Sequence, residues 1–438
     1  MVTVTGMVEP ARRGLLWLFT NTLPHILPYC SRKQPIRNGL IILQNNLPTF
    51  SCHSDVKALG IHMTKYQICT NCVMDTSDPK IIFDGGVCDH CRGFYSDVEP
   101  HWHPNEKGRE IFTRQVEQIE RSGRGKQYNS IIGLSGGLDS SYLLHLAVVE
   151  FGLRPLVFHV DGGWNTDVAV NNIQVLVDKL GLDLFTEVID WQDMRDFQLA
   201  LFKSGTPHLD LAQDHAFFAT MYLYANKYGI THILNGGNIS TECIRNPKDW
   251  LYYGTDMSFI KDVRRQFSTS EMKHYPWSGI LYHKIYLRYV KGIKVIKPLN
   301  YLPYNKDIAI DTLSNTYGWM PYPQKHFESR FTKFYEGFWL PTRFGYDTRR
   351  VQLSSLIVTK QMTRDQALSI LEKPAYDPET ITQEFEYIAN KLEISVEELW
   401  EYHRLPKKWF RDYKNEEWLF DLGARGMKLM GLERAIKR

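Results

Sequence analysis

The sequence predicts an α/β fold in which a parallel, doubly wound sheet follows a small cysteine-rich unit and precedes a helical region. Three observations lead to this prediction. Short strand-like apolar runs alternate with helical segments from Tyr128 onward. Four of the seven cysteines form two C-x-x-C pairs ahead of these runs. Strand signals fade after Asn300, where helical patterns and aromatic-rich connections take over.

Each element rests on its own hydrophobic pattern and boundary residues. The predicted strands lie at 130–134, 155–160, 184–189 and 231–234. The predicted helices lie at 104–122, 140–150, 168–180, 213–228, 363–371, 378–392 and 396–403. Thr363 is a good N-cap, and Pro374 follows the end of that helix. Strands separated by helices indicate a parallel sheet that is covered on both faces.

Composition restricts the classes of protein to consider. The chain has 438 residues, 43% of them hydrophobic and 23% charged, which excludes a mainly disordered or low-complexity protein. The length suggests about three domains. The formal net charge is +3, but residues 1–62 carry six basic and two acidic side chains, so residues 63–438 have a charge of −1. A net charge of −1 over residues 63–438 does not favour nucleic-acid binding, which normally needs a basic surface.

The first 62 residues show no sustained hydrophobic period, and organised sequence begins abruptly at Met63. We interpret residues 1–62 as a poorly ordered leader or as a mis-annotated start. The apolar stretch at 15–19 is short for a signal peptide, and no small-residue cleavage site follows it. No apolar run reaches the ~18 residues of a spanning helix. We therefore expect a cytoplasmic protein without membrane insertion.

The cysteine-rich unit at 63–100 is predicted to be a zinc ribbon. Its two pairs are Cys69 with Cys72 and Cys88 with Cys91, which lie 15 residues apart. Two such knuckles can converge on one tetrahedral ion, and four thiolates suit Zn²⁺. Because four cysteines leave no open coordination position, we expect a structural role for this metal.

A phosphate-binding loop follows the first strand of the sheet. Glycines allow the backbone to approach a polyanion closely, and the N–H groups at the start of the next helix face that anion. Asp139 can cap the helix or help to hold Mg²⁺. The predicted loop residues are Ser135, Gly136, Gly137, Leu138, Asp139, Ser140 and Ser141. The Gly-Lys-Ser/Thr ending of a Walker A loop is absent here.

The string S-G-G-x-D-S matches the signature of the PP-loop ATP pyrophosphatases, which bind the pyrophosphate portion of ATP and activate an oxygen by adenylation. This resemblance implies a sheet of the PP-loop/adenine nucleotide alpha hydrolase type over 101–300, with ATP and Mg²⁺ as ligands. Later strand ends carry further matches. The residues expected to contact the nucleotide there are His159, Asp161, Gly162 and Gly236, and Lys306 is expected to stabilise phosphate charge.

Four chemistries compete within that superfamily: amide synthesis, tRNA thiolation, nucleotide or NAD amination, and sugar amidation. Cys243 is the lone cysteine outside the ribbon and the leader, which counts against thiolation. No cysteine lies in a setting typical of a glutaminase nucleophile, so ammonia would come from a partner or from solution. A tRNA-modifying thiolase or lysidine-type ligase remains the alternative, and a non-catalytic zinc-ribbon adaptor is a third class.

From Met63 onward, over roughly 375 residues, the chain resembles the N-acetyl sugar amidotransferases. The resemblance is carried by segments 69–76, 84–91, 134–141, 161–165, 298–306 and 327–330. It implies conversion of an acetamido group of an activated sugar to an acetamidino group through an adenylated intermediate, in surface polysaccharide (LPS O-antigen) or nonulosonate biosynthesis. It also implies ammonia from a glutaminase and a barrel protein related to the histidine-biosynthesis pair.

The mechanism implied by this resemblance makes Ser135, Asp139 and Lys306 the catalytic candidates. Trp164, Asn165 and Arg343 are the candidates for substrate contact. The stretch from Lys325 to Arg350 is rich in basic and aromatic residues, which suits a diphosphate or carboxylate but equally a solvated helical face. We expect residues 301–438 to be a mainly helical substrate or partner region.

Overall fold

The computed structural model describes residues 66–429, and the predicted leader lies outside them. The cysteine-rich unit begins with an antiparallel hairpin of β1 (Phe83–Asp84) and β2 (Val87–Cys88), followed by α1 (Asp89–Gly93). Gly86 occupies the turn with φ +86°, and a Cβ there would lie 2.9 Å from the side chain of Thr70. The hairpin therefore needs glycine at this position.

The central sheet has five parallel strands in the order β5-β4-β3-β6-β7. They are β3 (Ser130–Gly133), β4 (Pro155–Asp161), β5 (Leu184–Val188), β6 (His232–Leu234) and β7 (Lys294–Ile296). The chain runs outward from β3 through β4 to β5 and then returns to the other side of β3 for β6 and β7. This reversal places a topological switch point at the carboxyl ends of β3 and β6.

Side chains of the sheet alternate between two hydrophobic cores, as expected for strands covered on both faces. Ile131 and Leu156 belong to one core, and their neighbours Ile132 and Val157 belong to the other. Helix α2 (Glu106–Ser122) precedes β3 in the chain. The helices between successive strands are α3 (Leu138–His145), α4 (Asp167–Leu180), α5 (Trp191–Ser204) and α6 (Leu211–Lys227). The turn Leu146–Glu150 continues α3 as a π-helix.

Beyond β6 the described chain is mostly helical. The short α7 (Ile239–Glu242) and α8 (Met257–Phe267) precede β7, and a π-helix covers Tyr282–Val290. The C-terminal helices are α9 (Lys306–Tyr317), α10 (Arg330–Phe334), α11 (Arg349–Val358), α12 (Arg364–Leu371), α13 (Ile381–Leu392), α14 (Val396–Arg404) and α15 (Glu417–Leu429). A π-helix, Tyr335–Phe344, extends α10. Within 66–429, no helix combines the length and apolar character needed to cross a bilayer.

The predicted fold class is confirmed. The four predicted strands and seven predicted helices all form, with ends shifted by a few residues. The elements that were not predicted include strand β7 and helices α5, α8, α9, α11 and α15, each of which is short or carries charged residues among its apolar positions. Thr363 caps α12 through a reciprocal capping box with Gln366.

The cysteine-rich unit is attached to the C-terminal helices through arginine side chains. Arg364 of α12 donates hydrogen bonds to the carbonyl oxygens of Cys69 and Cys72 at 3.0–3.2 Å. Arg350 of α11 donates to the carbonyl of Val73 at 2.8 Å and pairs with Asp75 at 3.0 Å. The cysteine-rich unit and helices α11 and α12 therefore stabilise each other.

Candidate active site

Two neighbouring cavities open at the switch point of the sheet, of about 360 Å³ and about 330 Å³. Both volumes fall within the usual range for small-molecule sites. The residues that line both cavities are Gly133, Ser135, Asn235, His326 and Glu328. We call these five residues the junction. The first cavity extends from the junction toward α11 and α12, and the second extends toward α6.

The predicted phosphate loop forms the wall between β3 and α3. The hydroxyl groups of Ser135 and Ser140 lie 3.1 Å apart, and Ser140 also donates to the carbonyl of Gly137 at 3.2 Å. Gly136 has φ +80°, and a Cβ there would lie 2.6 Å from the carbonyl oxygen of Ala169. A Cβ on Gly236 would lie 3.0 Å from the backbone of Asp139. Glycine is therefore required where the loops after β3 and β6 meet.

The loop residues divide between the first cavity and the protein interior. Ser135, Gly137, Leu138, Asp139 and Ser140 line the cavity. Gly136 does not line it, because its carbonyl oxygen accepts hydrogen bonds from Trp319 and Tyr322. Ser141 is fully buried and lines neither cavity, so the structure gives no support to its predicted contact with nucleotide.

A lysine links two carboxylates on the wall of the first cavity. Nζ of Lys325 lies 2.8 Å from Oδ2 of Asp139 and 2.7 Å from Oε1 of Glu242. The hydroxyl group of Tyr304 donates to the other oxygen of Asp139. Burial alone would lower the pKa of Lys325, but the two carboxylates outweigh burial and raise it. The wall therefore carries one fixed cation between two anions.

Lys306 also lines the first cavity, as the first residue of α9. Its backbone N–H donates to the side chain of Gln361 at 2.9 Å, which fixes the start of the helix beside α12. The opposite wall includes Gln352, Leu353 and Leu356 of α11. The first cavity thus combines the phosphate loop, two lysines and a partly apolar wall.

Residues at the end of β4 shape the second cavity. His159 and Asn165 line it, and Nε2 of His159 accepts a hydrogen bond from Nδ2 of Asn165 at 2.9 Å. Nδ1 of His159 donates to the carbonyl of Leu134 at 2.8 Å, and burial lowers its pKa. Asp161 accepts from Asn165 at 3.1 Å but lines neither cavity, and Gly162 is likewise outside the linings. Asp161 therefore meets the cavity through Asn165, whose side-chain amide it holds.

Carboxyl groups surround His326 where the second cavity meets the junction. Nδ1 of His326 lies 3.1 Å from Oε1 of Glu336, and His326 adopts a left-handed backbone conformation with φ +68°. Burial lowers the pKa of His326, but Glu336 outweighs burial and raises it to about 9. Burial raises the pKa values of Asp210 and Asp214. A strained backbone at a residue shared by two cavities is typical of functional sites.

Two predicted substrate residues do not reach either cavity. Trp164 is 1% exposed, donates its Nε1–H to Gln198 at 2.8 Å and packs against Trp191 and Phe331. Arg343 is 4% exposed, and its guanidinium donates to backbone carbonyl oxygens, those of His403, Gly205 and Pro406. The structure thus places both side chains in the packed interior instead of at a cavity.

Five acidic residues that line the cavities were not predicted as site residues from the sequence. They are Glu242, Glu328, Asp210, Asp214 and Glu336. Isolated acidic residues carry no local motif, because their role depends on helices that are distant in sequence. A signal does exist for Glu242, which follows the Gly236-Gly237 turn after β6 by five residues. Lys325 and His326 belong to the basic stretch that the sequence indicated as a possible anion site.

The four ribbon cysteines form a candidate metal centre. Their sulfur atoms all lie within 4.8 Å of one another, and all four side chains are buried. Cys72 and Cys88 have Sγ atoms 3.7 Å apart, close to the ~3.8 Å that a tetrahedral Zn²⁺ site requires. The sulfur of Cys69 accepts from three backbone N–H groups at 3.2–3.4 Å, which favours the thiolate. The donor set fits a closed tetrahedral metal.

Residues 328–427 match the family model described as the C-terminal domain of WbpG-like LPS biosynthesis proteins. None of the curated proteins matches the chain.

Solved structures that resemble the chain include an NH3-dependent NAD synthetase from Campylobacter jejuni, with 15% identity over 50% of this chain and 99% of that one, at a TM-score of 0.26. An NMN synthetase from Francisella tularensis has the same identity, coverage and TM-score. A U34-tRNA thiolase from Methanococcus maripaludis has 12% identity over 58% of this chain and 81% of that one, at a TM-score of 0.28.

Proposed function

We propose that the protein is an ATP-dependent amidotransferase that converts an acetamido group of an activated N-acetylated sugar to an acetamidino group, in the biosynthesis of a surface polysaccharide such as LPS O-antigen. The observation that carries the proposal is the S-G-G-x-D-S loop at the switch point of a parallel sheet, joined to a second cavity through five shared residues. The match of residues 328–427 to a WbpG-like domain supports the pathway.

In this proposal the adenosine lies in the second cavity and the phosphates lie along the loop in the first. Phe217 and Met221 supply apolar contacts for the base, and Asn165 a polar one. Ser135 and the N–H groups at the start of α3 hold the phosphate oxygens. The α-phosphate then lies at the junction, which gives a sugar in the first cavity access to it.

The acetamido oxygen attacks the α-phosphorus, the bond to the bridging oxygen breaks, and pyrophosphate leaves. Lys325 and Lys306 stabilise the negative charge on the departing phosphates. Mg²⁺ would be held by Asp139 and Glu242, since carboxylate oxygens are the ligands it prefers, and it would neutralise phosphate charge. Ammonia then adds to the activated carbon, and AMP leaves with the former acetamido oxygen.

Glu328 is the carboxyl group of the junction, and burial raises its pKa. We assign it to accept a proton from the added nitrogen, because a carboxyl group with a raised pKa is a stronger base once ionised. His326 is the cation beside it, held by Glu336. The ammonia is proposed to come from a partner glutaminase and its barrel protein.

The test uses an oxygen-18 label in the acetamido group of a UDP-linked N-acetylated diamino-uronic sugar, with MgATP and ammonium chloride. Recovery of the label in AMP, together with an amidine product, is the expected result. Label retained in the sugar while AMP forms would contradict the proposed attack. Turnover with tRNA and none with any such sugar would favour the tRNA-modifying alternative.

A further inference from the structure

A run of exposed apolar side chains lies on the π-helix Tyr282–Val290 and the helical turn before it. The buried side chains of this π-helix are His283 and Leu287. The ring of His283 packs against that of Tyr222 of α6, with centroids 4.5 Å apart. Large apolar side chains cover much of the remaining surface. The exposed ones are Leu281, Tyr282, Ile285, Tyr286, Tyr289 and Val290, with Tyr289 69% exposed and Val290 67% exposed. We call these six residues the aromatic face.

The charged residues along the segment that carries the aromatic face are all basic. Residues 272–306 contain seven Lys or Arg side chains and no Asp or Glu. Lys284, Arg288, Lys291 and Lys294 in this stretch are exposed. Arg288 lies over the ring of Tyr289 at 5.7 Å, and Lys291 lies over the ring of Tyr286 at 5.8 Å. The basic groups therefore border the aromatic rings directly.

We propose that the aromatic face docks the protein on an anionic membrane surface, with the helix lying in the headgroup layer. Tyrosine and basic side chains beside apolar ones are typical of helices at a membrane interface. The long stems of Lys and Arg can cover apolar surface while their charged ends reach anionic headgroups. This proposal goes beyond the proposed function and does not depend on it.

A second copy of the chain fits this surface less well. A symmetric dimer through the helix would bring the basic groups of both copies together, which is unfavourable. Adsorption to lipid instead gives these basic groups anionic partners, and its strength grows with the apolar area buried and with the anionic charge of the surface.

The test is sedimentation of the full-length protein with phosphatidylcholine vesicles that contain or lack about a third phosphatidylglycerol. We expect binding to the anionic vesicles alone, and a decrease in binding as NaCl is raised, because salt screens the attraction. Neutralising one basic residue should lower the partition coefficient about fivefold. The variant Lys284→Glu/Arg288→Glu should therefore lose nearly all binding, and Ile285→Ser/Tyr289→Ser should also weaken it.

Two matched variants complete the design. Arg114→Glu on α2 changes an exposed charge elsewhere, and Val149→Ser changes an exposed apolar side chain elsewhere. Both should bind vesicles as the unchanged protein does, and circular dichroism should show that every variant is folded. Absence of binding to anionic vesicles at low salt would overturn the proposal. So would light scattering that shows a dimer lost in Ile285→Ser/Tyr289→Ser, or capture of an acidic protein partner without any lipid binding.

Discussion

Nζ of Lys325 lies 2.8 Å from Oδ2 of Asp139, although 186 residues separate them in the chain. The C-terminal third of the protein thus places a cation on a carboxylate in the first turn of α3, beside the phosphate loop. Tyr304 donates to the other oxygen of the same carboxylate. Asp139 is therefore oriented by two side chains that the local S-G-G-x-D-S signature does not contain.

The first prediction concerns Asp139 itself. Asp139→Asn keeps the shape of the side chain but removes the charge that pairs with Lys325 and that we propose to bind Mg²⁺, so ATP turnover should fall by at least about 10²-fold. Ser135→Ala should have a comparable effect through the lost phosphate contact. Asp311→Asn on the exposed side of α9 serves as the control and should keep full activity. Pyrophosphate release measures the rate, and normal turnover in Asp139→Asn would contradict the role of the loop.

The second prediction concerns the lysine. Lys325→Met leaves Asp139 and Glu242 without the cation between them, so we expect kcat to fall about 10²–10³-fold as phosphate charge loses its stabilisation. Lys325→Arg keeps the charge and should retain part of the rate. A purely structural lysine would instead lower the thermal midpoint in both variants while kcat of the folded enzyme stayed the same. Steady-state kinetics at saturating ATP distinguish the two outcomes.

Local sequence was sufficient for features that one segment determines by itself. The strand, the glycine turn and the helix of the phosphate loop are contiguous, so their pattern predicted the strand and the helix that the structure contains. The same holds for the two C-x-x-C knuckles. In both cases the chemistry depends on spacing along the chain, which a sequence displays directly. The roles of Ser135 and Asp139 stay predictions.

Features that depend on packing between helices distant in sequence could not be predicted from local sequence patterns. An arginine beside aromatic residues looks the same in sequence whether it faces a ligand or the interior. Arg343 faces the interior, because π-helix Tyr335–Phe344 brings its guanidinium to carbonyl groups from α5 and α14 connections. His326 lies at the junction, where Glu336, ten residues later in the sequence, holds its ring.

The third prediction follows from the pair of His326 and Glu336. Glu336 raises the pKa of His326 to about 9, above the ordinary value of about 6.5. The stability that the pair contributes is therefore present in full below pH 6.5 and is lost as the pH rises through 9. Glu336→Gln should lower the free energy of unfolding at pH 6, and the difference from the unchanged protein should shrink toward pH 9.5.

Glu384→Gln provides the control for this pH series. Glu384 pairs with Arg330 at 2.9 Å, and a guanidinium keeps its charge over the whole range. Its effect on stability should therefore stay nearly constant between pH 6 and pH 9.5. Urea unfolding at each pH gives the comparison. If Glu336→Gln lowers the free energy of unfolding by the same amount at every pH, then His326 and Glu336 do not form an ion pair that is lost as the pH rises through 9.

The fourth prediction separates packing from substrate contact. Trp164→Ala should lower the free energy of unfolding by about 3–5 kcal/mol, as for other large buried aromatic residues. Arg343→Met leaves buried carbonyl groups without their donor and should cost about 2–3 kcal/mol. KM for the sugar should stay unchanged in the folded fraction of both variants. A raised KM at unchanged stability would return these residues to the substrate site.

The last prediction concerns the metal centre and its attachment. We propose Zn²⁺ as the metal, and expect one ion per chain by mass spectrometry. Cys72→Ser should lose the ion and much of its stability, because metal binding contributes directly to the folding of such units. Cys243→Ser should retain the metal, since Cys243 lies outside the cluster and burial raises its pKa to about 12.

Arg364→Gln should keep the ion but lower the unfolding free energy by about 1.5–3 kcal/mol, because the carbonyl groups of Cys69 and Cys72 lose a charged donor. Loss of zinc from Arg364→Gln would mean that the attachment to α12 forms the site itself, and retention of zinc by Cys72→Ser would exclude the four-cysteine centre.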